Sequence, residues 1–485
     1  MEKDVRSVAA SGLLWRLLER FGAQGVTFIV TVILARLLDP AVYGTVALIT
    51  AFTTILNVFI DSGLGSALIQ KKDTDDLDFS SIFYFNLFLC IALYAGVFFL
   101  APALAAFYNN PNLTVLIRVS SLTLVISGVA NVQIAYVTKH MFFKRFFIST
   151  LGGTIGSAVV SIIMAYLGFG VWAIIAQNLL NQFINTLILW KTVKWCPKMM
   201  FSFARLKDLF SYGWKLLCSS LLNTVFSRIN DLIIGKMYSP EDLAFYSKGN
   251  TLPSMAVLSI NSSIDSVLFP MMATEQNNLD AVKAMTRRSI KLCSYIMWPI
   301  MMGLAACAEP LIECLLTSKW LPCAPYFVIY CVIYAFFPIN TANLNAIKAI
   351  GRSDLILKLE IIKKVCGVVI LLCTMHHGIL TMSYGFLISS LLCQVINAWP
   401  NRKLLNYSHG EQLKDIMPAM CLAVFMWAAV NAISLFGFSA FATLLIQIPL
   451  GVTIYVLGSI IFKLDSFNYL LSILCEYVQG KKGTS

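Results

Sequence analysis

Charged residues are scarce in this sequence: Asp, Glu, Lys and Arg make up 12% of its 485 residues, whereas 58% are hydrophobic. Soluble domains carry about twice that charged fraction. A soluble fold is therefore excluded, and the long apolar runs predict an all-α integral membrane protein. The N-terminus lacks a cleavable signal pattern, because Arg16, Glu19 and Arg20 interrupt its apolar run. We therefore expect the first span to be retained.

The residue groupings that bind metals or carry out catalysis are also missing. The 13 cysteines show no CxxC or Cys/His ligand spacing, and the four histidines lie at predicted span ends or in loops. Most of the cysteines lie in apolar runs and are interpreted as small buried residues. No glycine-rich loop is followed by Lys-Ser/Thr, so a nucleotide-phosphate site is not expected. We predict no catalytic residue, no metal site and no cofactor.

Fourteen stretches are long and apolar enough to span a membrane. They lie near 13–37, 42–69, 80–106, 114–138, 147–167, 171–193, 209–236, 242–270, 287–308, 323–347, 355–375, 379–400, 415–436 and 440–462. Lys and Arg concentrate in every second connection, which predicts that both chain ends are cytoplasmic. The net charge of +12 belongs to these loops, so the expected partner is the membrane lipid surface and not nucleic acid.

An internal repeat with an offset near 200 residues divides the chain. The WRLL motif at 15–18 is echoed by WKLL at 214–217, and Pro40 is echoed by Pro240. Such a repeat predicts duplicated six-helix halves, related by a pseudo-two-fold axis along the membrane normal because six is even. The predicted parts are an N-lobe of six spans at 1–200, a C-lobe of six spans at 201–403, and two further spans with a cytoplasmic tail at 404–485.

Several cations lie inside the predicted spans, where an ionisable group is costly and normally faces a bundle interior or a water-filled cavity. These cations outnumber the acids at similar depth, which favours an anionic cargo. The predicted cationic lumen consists of Arg20, Arg228, Lys248, Lys363 and Lys364. Local neutralisation remains the alternative, because Arg228–Asp231 and Glu360–Lys364 have the spacing of ion pairs within one helix.

One aromatic helical face accompanies these cations. Tyr326, Tyr330 and Tyr334 recur every fourth residue in the tenth predicted span. Aromatic faces with a polar tip suit stacking against sugar rings, and ordinary core packing is the alternative.

The order of several motifs resembles a known family. In the second half these are DLIIGKMYSPEDLAFYSKGNTLP, SVLFPMMA, SKWLPCAPYF and AIGRSD. In the first half they are LARLLDPAVYG, DSGLGSALIQ and GFGVWAIIAQNLL. Over residues 10–400 the chain resembles the polysaccharide transporter family (Wzx-type, O-antigen and capsule) of the MOP flippase superfamily.

The resemblance implies a MOP/MATE-like fold with two lobes around a central cavity. It further implies flipping of undecaprenyl-pyrophosphate-linked oligosaccharide repeat units across the bacterial inner membrane, by alternating access driven by an ion gradient or the membrane potential. Arg20 and Lys248 match the cations of that family's cavity by position, and Asp61, Asp231 and Asp265 are candidate coupling-ion sites. Polysaccharide polymerase or chain-length machinery is an expected partner.

Three other functions stay open at this point. A multidrug/toxin extrusion antiporter of the same superfamily is expected to use acidic, apolar cavities, whereas cations dominate here. A lipid II flippase is closer and is not separated by charge alone. A membrane glycan polymerase or ligase, from another class, is expected to have a large periplasmic loop that this sequence lacks.

Overall fold

The structure is a computed structural model that describes Trp15 and residues 22–61, 64–71, 74–193 and 195–472. Within these ranges the chain is helical and contains no β-strand, which confirms the predicted all-α fold. Two compact units are formed, one ending at Ala244 and the other beginning at Phe245. The lobe boundaries predicted at residues 200 and 403 remain predictions.

Helices of the first unit follow the predicted spans to within a few residues. They are α1 (Gly22–Leu37), α2 (Pro40–Asp61), α3 (Leu64–Gln70), α4 (Asp76–Phe107), α5 (Leu113–Ser120), α6 (Leu122–Lys139), α7 (Phe143–Tyr166), α8 (Val171–Thr192) and α9 (Phe203–Met237). The predicted span 42–69 is divided into α2 and α3, and 114–138 is divided into α5 and α6. Helix α9 packs against α2, α3 and α4.

Helix α10 begins in the first unit and continues into the second. The remaining helices are α10 (Pro240–Thr274), α11 (Leu279–Ala306), α12 (Ala308–Leu316), α13 (Ala324–Ala335), α14 (Phe337–Ala349), α15 (Ser353–Thr374), α16 (Ile379–Leu404), α17 (His409–Asn431) and α18 (Ala440–Ile461). The predicted span 323–347 is divided between α13 and α14, and Pro338 lies in the first turn of α14, because proline suits a first helical turn and disrupts a helix interior.

Length and composition indicate a multi-pass membrane protein. Nine helices of the described residues are long and apolar enough to cross a membrane. Helices α9, α10 and α15 are not among the nine, and they carry Arg228, Lys248, Lys363 and Lys364. The four predicted lumen cations that the structure describes therefore belong to the less apolar of the long helices.

The repeated motif has the same local structure in both copies. Helix α1 ends at Leu37 and α2 begins at Pro40, while α9 ends at Met237 and α10 begins at Pro240. The second copy lies against the first, because a Cβ atom at Gly44 would collide with the backbone carbonyl of Pro240. Glycine permits this close approach of two backbones.

Acidic residues before and within the first turn of α4 form ion pairs with basic residues of neighbouring segments. The buried Asp78 carboxylate lies 2.6 Å from Lys71 Nζ and 3.6 Å from Arg205 Nη1. Asp75 caps α4, and its hydrogen bond from the Asp78 backbone N–H, aided by the charge of Arg205, lowers the pKa of the Asp75 carboxyl. Part of the predicted cytoplasmic charge is therefore fixed in ion pairs.

A buried amide cluster joins three helices of the second unit. The side chains of Asn343 on α14, Asn401 on α16 and Gln412 on α17 are almost fully buried. Asn401 Nδ2 donates to Asn343 Oδ1 at 2.7 Å, and Asn343 Nδ2 donates to Gln412 Oε1 at 3.0 Å. In a bilayer such interhelical hydrogen bonds stabilise packing, although each contributes modestly.

Candidate functional site

Arg228 and Asp231 form an ion pair within α9. Arg228 Nη1 lies 3.4 Å from Asp231 Oδ2, so the predicted local pairing is present. The two partners differ in burial, since 40% of the Arg228 side chain is exposed but only 12% of the Asp231 side chain. The Arg228 guanidinium can therefore be partly solvated, whereas the charge of the Asp231 carboxylate is compensated mainly by Arg228.

This difference predicts unequal effects of removing each partner. Arg228→Ala is expected to lower the free energy of unfolding by ~3 kcal/mol, because it leaves a buried carboxylate uncompensated. Asp231→Asn is expected to lower it by less than ~1 kcal/mol, because the half-exposed guanidinium can be solvated. Unfolding of the purified variants in detergent measures both values. The double variant is expected to be more stable than Arg228→Ala alone, and a larger loss for Asp231→Asn than for Arg228→Ala would contradict this account.

Lys248 is buried within the second unit, with 9% of the residue exposed. Its Nζ lies 5.9 Å from the ring centroid of Trp320, which is itself fully buried. This distance is at the outer limit of a cation–π interaction, which supplies part of the electrostatic compensation that a buried cation needs.

Tight helix packing fixes the position of Lys248. The next residue, Gly249, lies so close to α13 that a Cβ atom there would be 2.6 Å from Tyr326 Cβ and 2.9 Å from the backbone nitrogen of Phe327. Contacts under 3.0 Å are not tolerated without movement of the neighbouring backbone. The glycine therefore lets α10 pack directly on α13 and holds the lysine at this depth.

The tyrosines of α13 form hydrogen bonds to α10 on either side of Lys248. The Tyr330 hydroxyl donates to the Tyr246 hydroxyl at 2.5 Å, and the Tyr334 hydroxyl donates to Asn250 Oδ1 at 2.6 Å. Tyr330 is 1% exposed, as core packing requires, and Tyr326 packs edge-on against Tyr246 at 6.2 Å. A role of Tyr326, Tyr330 and Tyr334 in sugar stacking stays a prediction.

Lys363 and Lys364 lie in the middle of α15. Glu360 forms an ion pair with Lys363, whose side chain is 12% exposed, at i,i+3 spacing. Residues at i+3 and i+4 both lie on the same helical face as Glu360, so this ion pair does not exclude the predicted pairing of Glu360 with Lys364, which stays a prediction. The Lys363 charge is thus compensated within its own helix, while the half-buried Lys364 lies beside it.

Three predicted residues fall outside the part of the chain that the structure describes. Arg20 lies among undescribed residues, and the side chains of Asp61 and Asp265 are likewise outside the description. The structure places Arg228 and Asp231 in the first unit and Lys248, Lys363 and Lys364 in the second. Their roles as lumen or coupling-ion residues stay predictions.

A polar cavity of about 250 Å³ within the first unit has no counterpart in the sequence predictions. It is lined by α2, α5, α6 and α8, and none of the described side chains that line it is ionisable. Its polar lining consists of Thr50, Thr53, Thr54, Asn57, Ser120, Thr123, Ser127, Asn178 and Gln182. The volume is large enough for several water molecules or a small hydroxylated group.

Several hydrogen-bond acceptors of this polar cavity remain available to a ligand. The hydroxyls of Thr53 and Thr54 donate to carbonyls of α2, and the Thr123 hydroxyl donates to the Ser120 carbonyl at the end of α5, which leaves the oxygen lone pairs available. Ser120 Oγ and Asn57 Oδ1 have no hydrogen-bond partner among the described residues, although both are buried. Buried polar atoms are normally satisfied by protein, water or ligand, so this cavity suits a neutral group with hydroxyl donors.

A sequence signal for the polar cavity exists in α2. Thr50, Thr53, Thr54 and Asn57 follow helical spacing on one face of a span that is otherwise apolar. A search of the helix faces for charged residues alone does not find these four residues, because they are neutral. Among the described residues, no group of three His, Cys, Asp or Glu side chains is arranged to hold a metal ion.

A family model described as "Polysaccharide biosynthesis protein" matches residues 33–325, which is more than half of the chain. The chain belongs to this polysaccharide biosynthesis family. The match includes α2 to α12 as well as Arg228, Asp231 and Lys248, so the candidate residues of α9 and α10 lie inside the family region.

Two curated relatives are similar over much of the chain. The succinoglycan biosynthesis transport protein ExoT of Rhizobium meliloti is 26% identical over 306 residues, covering 63% of this chain and 62% of that protein. The teichuronic acid biosynthesis protein TuaB of Bacillus subtilis is 22% identical over 410 residues, covering 83% of this chain and 85% of that protein.

Solved structures of the MOP superfamily share the fold of this family member. The lipid II flippase MurJ, in an inward closed conformation, superposes with a TM-score of 0.74 at 16% identity, covering 93% of this chain and 98% of that chain. A multidrug resistance MATE transporter superposes with a TM-score of 0.62 at 15% identity, covering 81% and 98%. These likenesses confirm the predicted MOP/MATE-like fold.

Proposed function

We propose that this protein flips undecaprenyl-pyrophosphate-linked oligosaccharide repeat units across the bacterial inner membrane by alternating access. The observation that carries the proposal is a buried cation, Lys248, on a helix inside the matched family region. A buried cation is stabilised by an opposite charge, and the pyrophosphate of such a cargo supplies one. ExoT and TuaB, named for succinoglycan transport and teichuronic acid biosynthesis, support a glycan cargo.

Cationic and neutral groups supply different chemistry for such a cargo. Lys248, together with Arg20, Arg228, Lys363 and Lys364, binds the pyrophosphate and any sugar acids. The neutral polar cavity of the first unit accepts hydrogen bonds from sugar hydroxyls. An ion gradient or the membrane potential drives the transition, with Asp61, Asp231 and Asp265 as candidate coupling-ion sites. A polysaccharide polymerase or chain-length protein receives the flipped repeat unit.

Reconstituted vesicles test this function. Lipid-linked oligosaccharide in both leaflets is treated from outside with periodate, a membrane-impermeant oxidant of sugar diols. About half of the cargo is protected from oxidation in vesicles without protein. In vesicles that contain the protein, the protected fraction is expected to fall with time under an ion gradient or potential. Unchanged protection under every gradient, combined with uptake of a cationic dye, would instead favour a multidrug antiporter.

Orientation in the membrane gives a separate prediction. Both termini are proposed to be cytoplasmic, because Lys and Arg concentrate in the loops on that side. In a variant lacking native cysteines, Glu241→Cys is expected to react with an impermeant thiol reagent added outside cells. Met199→Cys, which replaces a 98% exposed side chain, is expected to react only after the membrane is opened. The reverse pattern would overturn the topology.

A further inference from the structure

A second polar cavity, of about 150 Å³, lies in the second unit where α11, α17 and α18 come together. Helix α17 contributes residues near its N-terminus, and the chain just after α18 contributes residues 463–466. All these ends are predicted to be cytoplasmic. We call this the basal cavity; it lies at the level where the polar headgroups of the inner leaflet are expected.

Two acids and two bases around the basal cavity compensate one another. Arg287 Nε lies 2.7 Å from Asp415 Oδ2. Lys291 Nζ lies 3.5 Å from Asp415 Oδ1 and 3.6 Å from Asp465 Oδ2. Together these four side chains carry no net charge; Lys291, Asp415 and Asp465 line the cavity, and Arg287 contacts it through Asp415.

Two further lysines give the basal cavity a positive surplus. Lys414 and Lys463 line it, and the side chain of neither forms an ion pair or a hydrogen bond with any described residue. They come from different helix ends, so the fold and not the local sequence brings them together. Two lysines facing a small cavity favour a ligand with at least one negative charge.

Exposed apolar residues adjoin the lining of the basal cavity in the sequence. Leu413 and Met417 on α17 are 51% and 42% exposed, and Ile461 and Phe462 at the end of α18 are 72% and 69% exposed. A soluble phosphate uses none of this surface, whereas a lipid places its headgroup in the cavity and its acyl chains along the apolar faces. Basic pockets between transmembrane helices on the cytoplasmic side are suited to anionic headgroups.

We propose that the basal cavity binds the phosphate of an anionic membrane lipid, with Lys414 and Lys463 as the neutralising cations. The site uses none of the residues assigned to the oligosaccharide cargo, so it does not depend on the proposed transport function. The bound lipid contacts α11, α17 and the end of α18 and so stabilises their packing at the membrane surface.

Lipid binding to the purified full chain tests the proposal. Phosphatidylglycerol, phosphatidylcholine and inorganic phosphate are titrated separately, and binding is followed by native mass spectrometry and by the thermal midpoint. Lys414→Gln/Lys463→Gln is compared with Lys358→Gln/Lys403→Gln, which removes two exposed lysines elsewhere on the predicted cytoplasmic side. We expect about tenfold weaker phosphatidylglycerol binding for the cavity variant and no change for the control.

Several outcomes separate the sources of the anion. Binding of phosphatidylglycerol in preference to phosphatidylcholine, lost only in the cavity variant, supports the proposal. Saturation by inorganic phosphate without a response to phosphatidylglycerol would overturn it in favour of a soluble anion. Equally weakened phosphatidylglycerol binding in both double variants would overturn the proposal, because the loss would then follow from the total positive charge and not from this cavity. Lys414→Gln alone is measured as well, so that a folding defect in the double variant does not decide the result.

Discussion

Replacing Lys248 by methionine is expected to reduce transport of lipid-linked oligosaccharide at least about tenfold while leaving the amount of folded protein unchanged. Methionine matches the lysine stem in size but removes its charge, and packing of the site against Trp320 and Gly249 is retained. Loss of one close charge–charge contact to a buried anion is worth more than ~1.4 kcal/mol, which corresponds to a factor of ten. The vesicle assay with periodate protection measures the rate.

The matched control is Lys403→Met, which neutralises an exposed lysine at the end of α16. It is expected to transport at the original rate. Lys248→Arg keeps the charge and is expected to retain more activity than Lys248→Met, although the larger guanidinium is less well accommodated in a buried position. Wild-type transport by Lys248→Met would remove the main support for a cationic lumen.

Replacing Asp415 by alanine is expected to lower the free energy of unfolding by ~3 kcal/mol. Only 4% of the Asp415 side chain is exposed, and it accepts hydrogen bonds from Arg287 and from the Tyr407 hydroxyl at 2.9 Å. Burial, reinforced by the Asp415 carboxylate, raises the pKa of Tyr407, so the phenol stays protonated and continues to donate. Removing the acceptor leaves the buried Tyr407 hydroxyl without a partner, and Lys291, whose side chain is 31% exposed, keeps only the exposed Asp465.

Asp354→Ala is the control for the same chemical change at the surface. Asp354 accepts two hydrogen bonds from Arg352, both at 2.9 Å, and both side chains are well exposed. Exposed ion pairs contribute little, so no measurable loss of stability is expected. Thermal unfolding of both variants in the same detergent compares them, and similar losses would contradict the assignment of Asp415 as a buried structural acid.

The apolar spans could be predicted from the sequence because they depend on averages over about 20 residues. The interruptions within them could not. The break between α5 and α6 lies at Ser120 and Ser121, inside a run that remains apolar on average. Helix α9 likewise begins at Phe203, earlier than the predicted 209, because the Ser202 side chain accepts a hydrogen bond from the Arg205 backbone N–H. A helix cap of this kind depends on a single residue, so an average over about 20 residues does not detect it.

The candidate site was predictable where it depends on charge and less so where it depends on packing. Lys248 and the Arg228–Asp231 pair follow from charges placed in apolar helices. The ion pair of Lys363 with Glu360 depends on side-chain conformation, which spacing alone does not fix. The polar cavity around Asn57 arises only when α2, α5, α6 and α8 are brought together, since each helix alone carries only a few neutral polar residues.

The amide cluster of Asn343, Asn401 and Gln412 bears on how the protein is made. Each of its helices enters the bilayer with a neutral amide at the junction, which is less costly to insert than an ionised group. The three helices can therefore insert into the bilayer one after another. They associate later, when their amides form hydrogen bonds with one another. Biogenesis of this region is thus a sequence of separate insertions followed by docking, with no ionised partner needed at the junction during synthesis.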